Sequence, residues 1–136
     1  MNELISKDFV MEMEESERIF CSIVAESEED KVKLFNIMNS PGGKVADMIN
    51  MEIAVSDVVV ETVRVTDDDG EEAVAPRIVL VTPDGTAYQC VSNGVYSALK
   101  KVFKIFGPPH WNNPKRFTVR QIKKGNNSVL TLEMMA

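Results

Sequence analysis

Ile53-Ala54-Val55-Ser56-Asp57-Val58-Val59-Val60-Glu61-Thr62-Val63-Arg64-Val65-Thr66 is a long β-branched run in a chain of 136 residues. Such residues suit a pleated, half-buried surface. Ile53 and Val55 share one parity, Val58 and Val60 share the other, and Val63 and Val65 return to the first. Side chains alternate faces along a strand, so a run that changes phase and stays apolar needs a bulge or a strong bend. The expected place is near Asp57.

Downstream, Asp67-Asp68-Asp69-Gly70-Glu71-Glu72 reads as a loop, and Arg77 to Val81 as a second strand. Thr82-Pro83-Asp84-Gly85 is a tight hairpin turn leading to a third strand, Thr86 to Val91. Ser92 or Asn93 caps a helix whose stripe is Val95, Leu99, Val102, Phe103 and Phe106. Gly107 ends it and Pro108-Pro109 prevents continuation. A connector, Pro108 to Pro114, leads to a fourth strand, Lys115 to Lys124. The turn Gly125-Asn126-Asn127 and a fifth strand, Ser128 to Met134, complete the pattern.

Three strands, a helix and two strands are the layout of the OB fold, a five-stranded Greek-key barrel with a helix between strands 3 and 4. An open α+β sandwich shares that order. The expected fold is therefore mainly β, with an OB core over residues 51–136 of a single domain, 1–136.

Upstream lies an acidic N-terminal extension, 1–50, with one strand and one helix. Residues 1–17 are poorly patterned and carry Glu12, Glu14, Glu15 and Glu17. Ile19 to Ala25 suits a strand. Ser27 caps a helix with Glu28, Glu29 and Asp30 in its first turn, where the helix dipole favours them. Ser40-Pro41-Gly42-Gly43 stops it, and Val45 to Asn50 fits one helical turn.

Charge is divided along the chain. Eight basic and no acidic residues lie between Gly85 and Leu132, whereas residues 1–84 hold seven basic and twenty acidic ones. The net charge of −6 conceals this. A partner feels local potential, because charges beyond about 10 Å are screened at 0.1 M salt. The C-terminal half reads as an anion-binding surface.

Single-strand binders join a positive groove to rings on which bases stack. Here Lys100, Lys101, Lys104, Lys115, Arg116, Arg120, Lys123 and Lys124 supply the charge. Tyr88 and Trp111 are the candidate stacking rings, with Phe117 a third; Phe103 and Phe106 belong to the helix stripe and are expected in the core. An OB fold carries nucleic acid over strands 2 and 3, between the loops that join strands 1–2 and 4–5. That places Arg77 and Tyr88 by the face, and Lys123, Lys124, Asn126 and Asn127 on a rim. The loop 67–72 flanks the same groove with five carboxylates and either turns away or competes for the basic face.

Enzyme chemistry finds little support in the sequence. His110 is the only histidine, and no nucleophile has spacing that suggests a partner for it. The chain lacks Cys-x-x-Cys, His-Glu-x-x-His, G-x-S-x-G and a Gly-rich phosphate loop, so no metal or other cofactor is expected. Cys21 and Cys90 read as buried thiols of a cytosolic protein. No apolar run reaches the roughly 18 residues of a membrane span. The N-terminus has no signal-peptide pattern, so a bacterial cytoplasm is the expected location.

Several segments, in order and spacing, resemble a family of small single-stranded DNA-binding proteins of phages and mobile elements of Gram-positive bacteria. They are Phe35-Asn36-Ile37-Met38-Asn39, Asp47-Met48-Ile49-Asn50, Pro76-Arg77-Ile78-Val79-Leu80 and Val91-Ser92-Asn93-Gly94. Leu99-Lys100-Lys101-Val102-Phe103, Phe106-Gly107-Pro108-Pro109, Val119-Arg120-Gln121-Ile122-Lys123-Lys124-Gly125 and Leu130-Thr131-Leu132-Glu133 continue the resemblance. It implies an OB-type fold, no catalysis, and coating of single strands during replication. Better-known bacterial single-strand binders recruit partners through an acidic tail. Here the acidic region 8–30 is the expected contact for replication proteins. The expected partner is single-stranded DNA. The alternatives are an RNA-binding OB domain, and a protein-interaction module whose acidic and basic halves self-associate head to tail.

Overall fold

The computed structural model describes residues 20–66 and 68–135. Their strands are β1 (Phe20–Cys21), β2 (Gly42–Lys44), β3 (Glu52–Val55), β4 (Asp57–Thr66), β5 (Glu72–Val81), β6 (Ala87–Val91), β7 (Lys115–Lys124) and β8 (Asn127–Met134). The helices are α1 (Glu28–Asn39) and α2 (Asn93–Phe106), with a 3-10 turn over Val45–Met48. The acidic run Glu12 to Glu17 and Asp67 lie outside the described residues.

The phase change in the opening run is where one strand becomes two. Val55 pairs with Lys115 of β7, whereas Asp57 pairs with Val81 of β5. Ser56 sits between them, its N–H donating to the carbonyl of Val81 at 2.9 Å. Ile53, Val55, Val58 and Val60 all enter one core. The one-residue slip lets the strand cross from one sheet to the other while its apolar side still faces inward.

The sheets are β1-β4-β5-β6-β2 and β3-β7-β8. The expected strand, strand, strand, helix, strand, strand order is present from residue 52 onward. The expected barrel is not closed: among the described residues β8 pairs only with β7, and the second edge of β6 carries β2, in parallel register. β2 occupies the edge that closure would have used. Gly43 permits this approach, since a Cβ there would lie 2.6 Å from Tyr88 Cδ1 and 2.8 Å from the Ala87 carbonyl. β1 and β2 thus make the N-terminal region part of the larger sheet. Of the expected strand Ile19 to Ala25, the described residues 20–25 form strand only at Phe20–Cys21, paired with Val60 and Val59.

β5 begins five residues earlier than expected, at Glu72, and contains Pro76. β6 reaches only to Val91, opposite Arg77, so Pro76 falls just past it, where no N–H is required. Instead the Pro76 carbonyl accepts from the N–H of Ser92 at 3.3 Å. Beyond that point β4 and β5 continue as a two-stranded ribbon from Thr62↔Pro76 to Thr66↔Glu72. β7 and β8 form a second ribbon, ending at Lys124↔Asn127.

The main core joins Ile78 and Leu80 of the larger sheet to Val95, Leu99 and Val102 of α2 and to Phe117 and Val119 of β7. On the opposite side of the larger sheet, Val59, Val79, Val81 and Ala87 are covered by Cys21, Ile23, Ile37 and Met38. The α1 region therefore lies over the outer side of β4, β5 and β6. Ser27 caps α1, its hydroxyl accepting from the N–H of Asp30 at 3.0 Å. Among the described residues no helix is long and apolar enough to cross a membrane.

Candidate nucleic-acid interface

α2 carries the centre of the basic surface. Ser92 Oγ accepts from the N–H of Val95 at 3.1 Å and caps the helix. Gly107, at φ +86°, ends it, its N–H donating to Phe103 O at 2.8 Å. Ser92 Oγ also lies 3.4 Å from the Leu130 carbonyl of β8, so the start of α2 touches both ribbons. Gly94 makes the β8 contact possible; a Cβ there would meet Leu130 O at 2.1 Å.

Val95, Leu99 and Val102 are buried, and Lys100, Lys101 and Lys104 project from the exposed side. Lys100 Nζ lies 4.8 Å from the centre of the Tyr96 ring, a cation–π contact. Lys101 and Lys104 make no ion pair with another described residue. Neither do Lys123 and Lys124, which are exposed at the end of the β7–β8 ribbon next to Asn126 and Asn127. Register places Lys123 on the same side of β7 as buried Phe117 and Val119, and Lys124 on the other.

Two arginines differ from the expectation of an uncompensated cluster. Arg116 binds the carboxylate of Glu52, with Nη2 3.2 Å from Oε2. That bond holds the Glu52 carboxyl below its ordinary value and raises the Arg116 guanidinium. Arg120 donates from Nε to Glu133 at 3.0 Å and from Nη1 to Asn50 Oδ1 at 2.9 Å. Sequence reading found no acidic neighbour because Glu52 is 64 residues from Arg116. Arg77 is held too, donating to Glu61 Oε1 at 2.8 Å and to Gln89 Oε1 at 2.8 and 3.2 Å.

The expected stacking rings are corrected. Trp111 is only 7 % exposed and Phe117 0 %. Trp111 packs edge-on to Phe103, ring centres 5.8 Å apart, and lies 6.5 Å from Phe117; Phe20 extends the cluster at 5.2 Å from Phe103. The Trp111 indole N–H donates to the Gly107 carbonyl at 3.2 Å, so its one polar group is satisfied inside. No base can stack on a ring enclosed in this way. Tyr88 is half-buried against the main core, beside Gly43.

Phe106 is the reverse case. It was expected in the core and is 51 % exposed, with Ile105 beside it at 73 %. Its stripe position belongs to the buried side, but it lies in the last turn, where α2 runs past the strands it packs on. The Gly107-Pro108 exit was the available signal. Lys115 Nζ lies 4.7 Å from the centre of its ring. Phe106 is thus an accessible ring beside Lys115, at the end of α2 and on the stripe side of the helix, whereas Lys101 and Lys104 lie on its exposed side.

Comparison with protein families gives a match over residues 13–135 to the phi29-type family described as phage single-stranded DNA-binding protein. Comparisons with curated proteins and with solved structures return no match. Single-stranded DNA is the ligand that defines the matched family, and exposed lysines and an exposed ring are groups of the kind that bind it. On the extent of that match, which spans nearly the whole chain, this protein belongs to the phage single-stranded DNA-binding protein family.

Proposed function

We propose that this protein coats single-stranded DNA during replication of a phage or mobile element, in the cytoplasm of a bacterial host, without catalysing a reaction. The observation that carries this reading is the grouping of Lys100, Lys101 and Lys104 on the open side of α2; Phe106, with Lys115 over its ring, is exposed at the end of the helix on the stripe side. The lysines track phosphates and Phe106 stacks on a base. Lys123 and Lys124 extend the path along the β7–β8 ribbon. Arg116 and Arg120 contribute less than their charge suggests, because each must leave a carboxylate to meet a phosphate. Arg77 orders the sheet face beside the path, and Tyr88 braces β6 from within.

Contacts to phosphates and to the faces of bases carry little sequence information, so binding is nearly sequence-independent. A labelled mixed-sequence strand and its duplex, titrated by fluorescence anisotropy, test this directly. Tight binding of the strand alone supports the reading. Equal affinity for the duplex removes the role of stacking, and absence of binding at low salt removes the function.

A further inference from the structure

The described chain begins against α2. Phe20, its first residue, has its ring 5.2 Å from that of Phe103. β1 is antiparallel to β4, with Phe20 opposite Val60 and Cys21 opposite Val59. The chain therefore enters Phe20 from the side of Glu61 and Thr62. Thr62 pairs with Pro76, whose carbonyl accepts from the N–H of Ser92, the cap of α2. The entry to Phe20 thus comes from the direction of the start of α2 and meets the helix at Phe103.

Two lysines border that entry. Lys100 stands three residues before Phe103, a spacing that puts both on one side of a helix, and Lys104 is the residue after Phe103. Lys100 Nζ leans back over Tyr96, toward the start of the helix. Lys101, two residues before Phe103, faces away. Lys100 and Lys104 are exposed, and neither has a carboxylate partner among the described residues. Glu61, on the adjoining edge of β4, is engaged by Arg77 at 2.8 Å.

The sequence just upstream of Phe20 has the complementary charge. Residues 8–17 hold Asp8, Glu12, Glu14, Glu15 and Glu17 and no basic residue; Arg18 follows. Glu17 is three residues from Phe20 and Glu12 eight, so extended chain spans at most about 10 Å and about 28 Å respectively. Lys100 is only about 4.5 Å along the helix axis from Phe103. A short tether of this kind holds its charges at an effective concentration in the millimolar range. We infer that the acidic segment 8–17 pairs with Lys100 and Lys104 in the free protein and competes there with the phosphates of single-stranded DNA. Each exposed pair is weak, so a strand with many phosphates displaces the segment. This inference rests on the single-strand reading and adds an internal competitor to it.

The test joins carbodiimide crosslinking of the full chain, mapped by mass spectrometry, to anisotropy titration with a twelve-residue oligothymidylate at low and high salt. The second protein is the full chain carrying Glu12→Gln, Glu14→Gln, Glu15→Gln and Glu17→Gln. The expected result is links from these glutamates to Lys100 or Lys104 within monomers, lost when the oligonucleotide is added. The variant should bind about fivefold more tightly at low salt, a gain that vanishes at high salt. Absence of the links overturns the contact and leaves the single-strand reading to the titration. Links found only in crosslinked dimers place the segment on a second copy and overturn the internal pairing. Equal affinity of the two proteins overturns the competition. No oligonucleotide binding by either protein overturns the single-strand reading and the competition with it.

Discussion

The N–H of Trp111 donates to the carbonyl of Ser56 at 2.9 Å. This bond joins the connector after α2 to the residue at which the long strand changes sheets. It places the indole in the core, beside Phe103 and Phe117, and so removes the ring that the sequence best offered for stacking. The surface proposed for binding is therefore that of α2 and Phe106.

Trp111 therefore serves stability. Trp111→Ala is expected to lower unfolding free energy by about 3–5 kcal/mol, the usual cost of emptying a buried aromatic site. Urea denaturation checks the loss. In the native protein acrylamide should quench the indole weakly, and addition of a single strand should leave its emission nearly unchanged.

Phe106→Ala should show the opposite division. Loss of one stacked base costs about 1–3 kcal/mol of binding. Half of the ring is already in solvent, so the urea midpoint should move little. Anisotropy titration beside the denaturation curve separates the two effects. A variant that unfolds early and binds normally would return Phe106 to the core.

Gly94→Ala should destabilise strongly. Its Cβ would fall 2.1 Å from a β8 carbonyl, and backbone atoms would have to move. Comparison with Gly70→Ala, where the space is open but the glycine φ of +81° disfavours a side chain, distinguishes collision from backbone strain. The Gly94 variant should have the lower melting temperature.

Acid should weaken the Thr82–Gly85 turn in a defined range. Asp84 accepts from the hydroxyl of Thr82 and from the N–H of Thr86, and these bonds hold its carboxyl at about 2 instead of 3.8. The depressed value means that the turn is fully supported above 3.8 and loses this support as pH falls through about 2. Asp84→Asn removes the titration. The difference in urea midpoint between wild type and variant should be constant above about pH 5 and shrink steadily below it.

Much of the fold was legible because it depends on local pattern. The parity change near Asp57, the Ser27 cap, the cap at Ser92 or Asn93 and the Gly107 stop each announce themselves within a few residues. What could not be read depends on distant pairing. Gly42-Gly43 has no strand propensity and becomes β2 only because the edge of β6 is open to it. Pro76 hid the start of β5, since its place just beyond the end of β6 is a property of the assembled sheet. The site followed the same rule. The exposure of Lys100, Lys101 and Lys104 on α2 was legible from spacing alone, whereas the carboxylates that hold Arg116 and Arg120 are contributed by other strands. Trp111 was misread because a proline- and asparagine-rich connector resembles an exposed loop until its N–H is seen to bond Ser56.

The central claim is that the open side of α2 meets the phosphates. The most direct test compares the salt dependence of single-strand affinity in wild type and in the double variant Lys101→Ala plus Lys104→Ala. Each phosphate contact contributes about −0.7 to the slope of log K against log salt on single strands. The account predicts a slope shallower by about 1.4 in the variant, with weaker binding at low salt and an unchanged melting temperature. An unchanged slope with unchanged affinity would contradict it and move the strand off this helix.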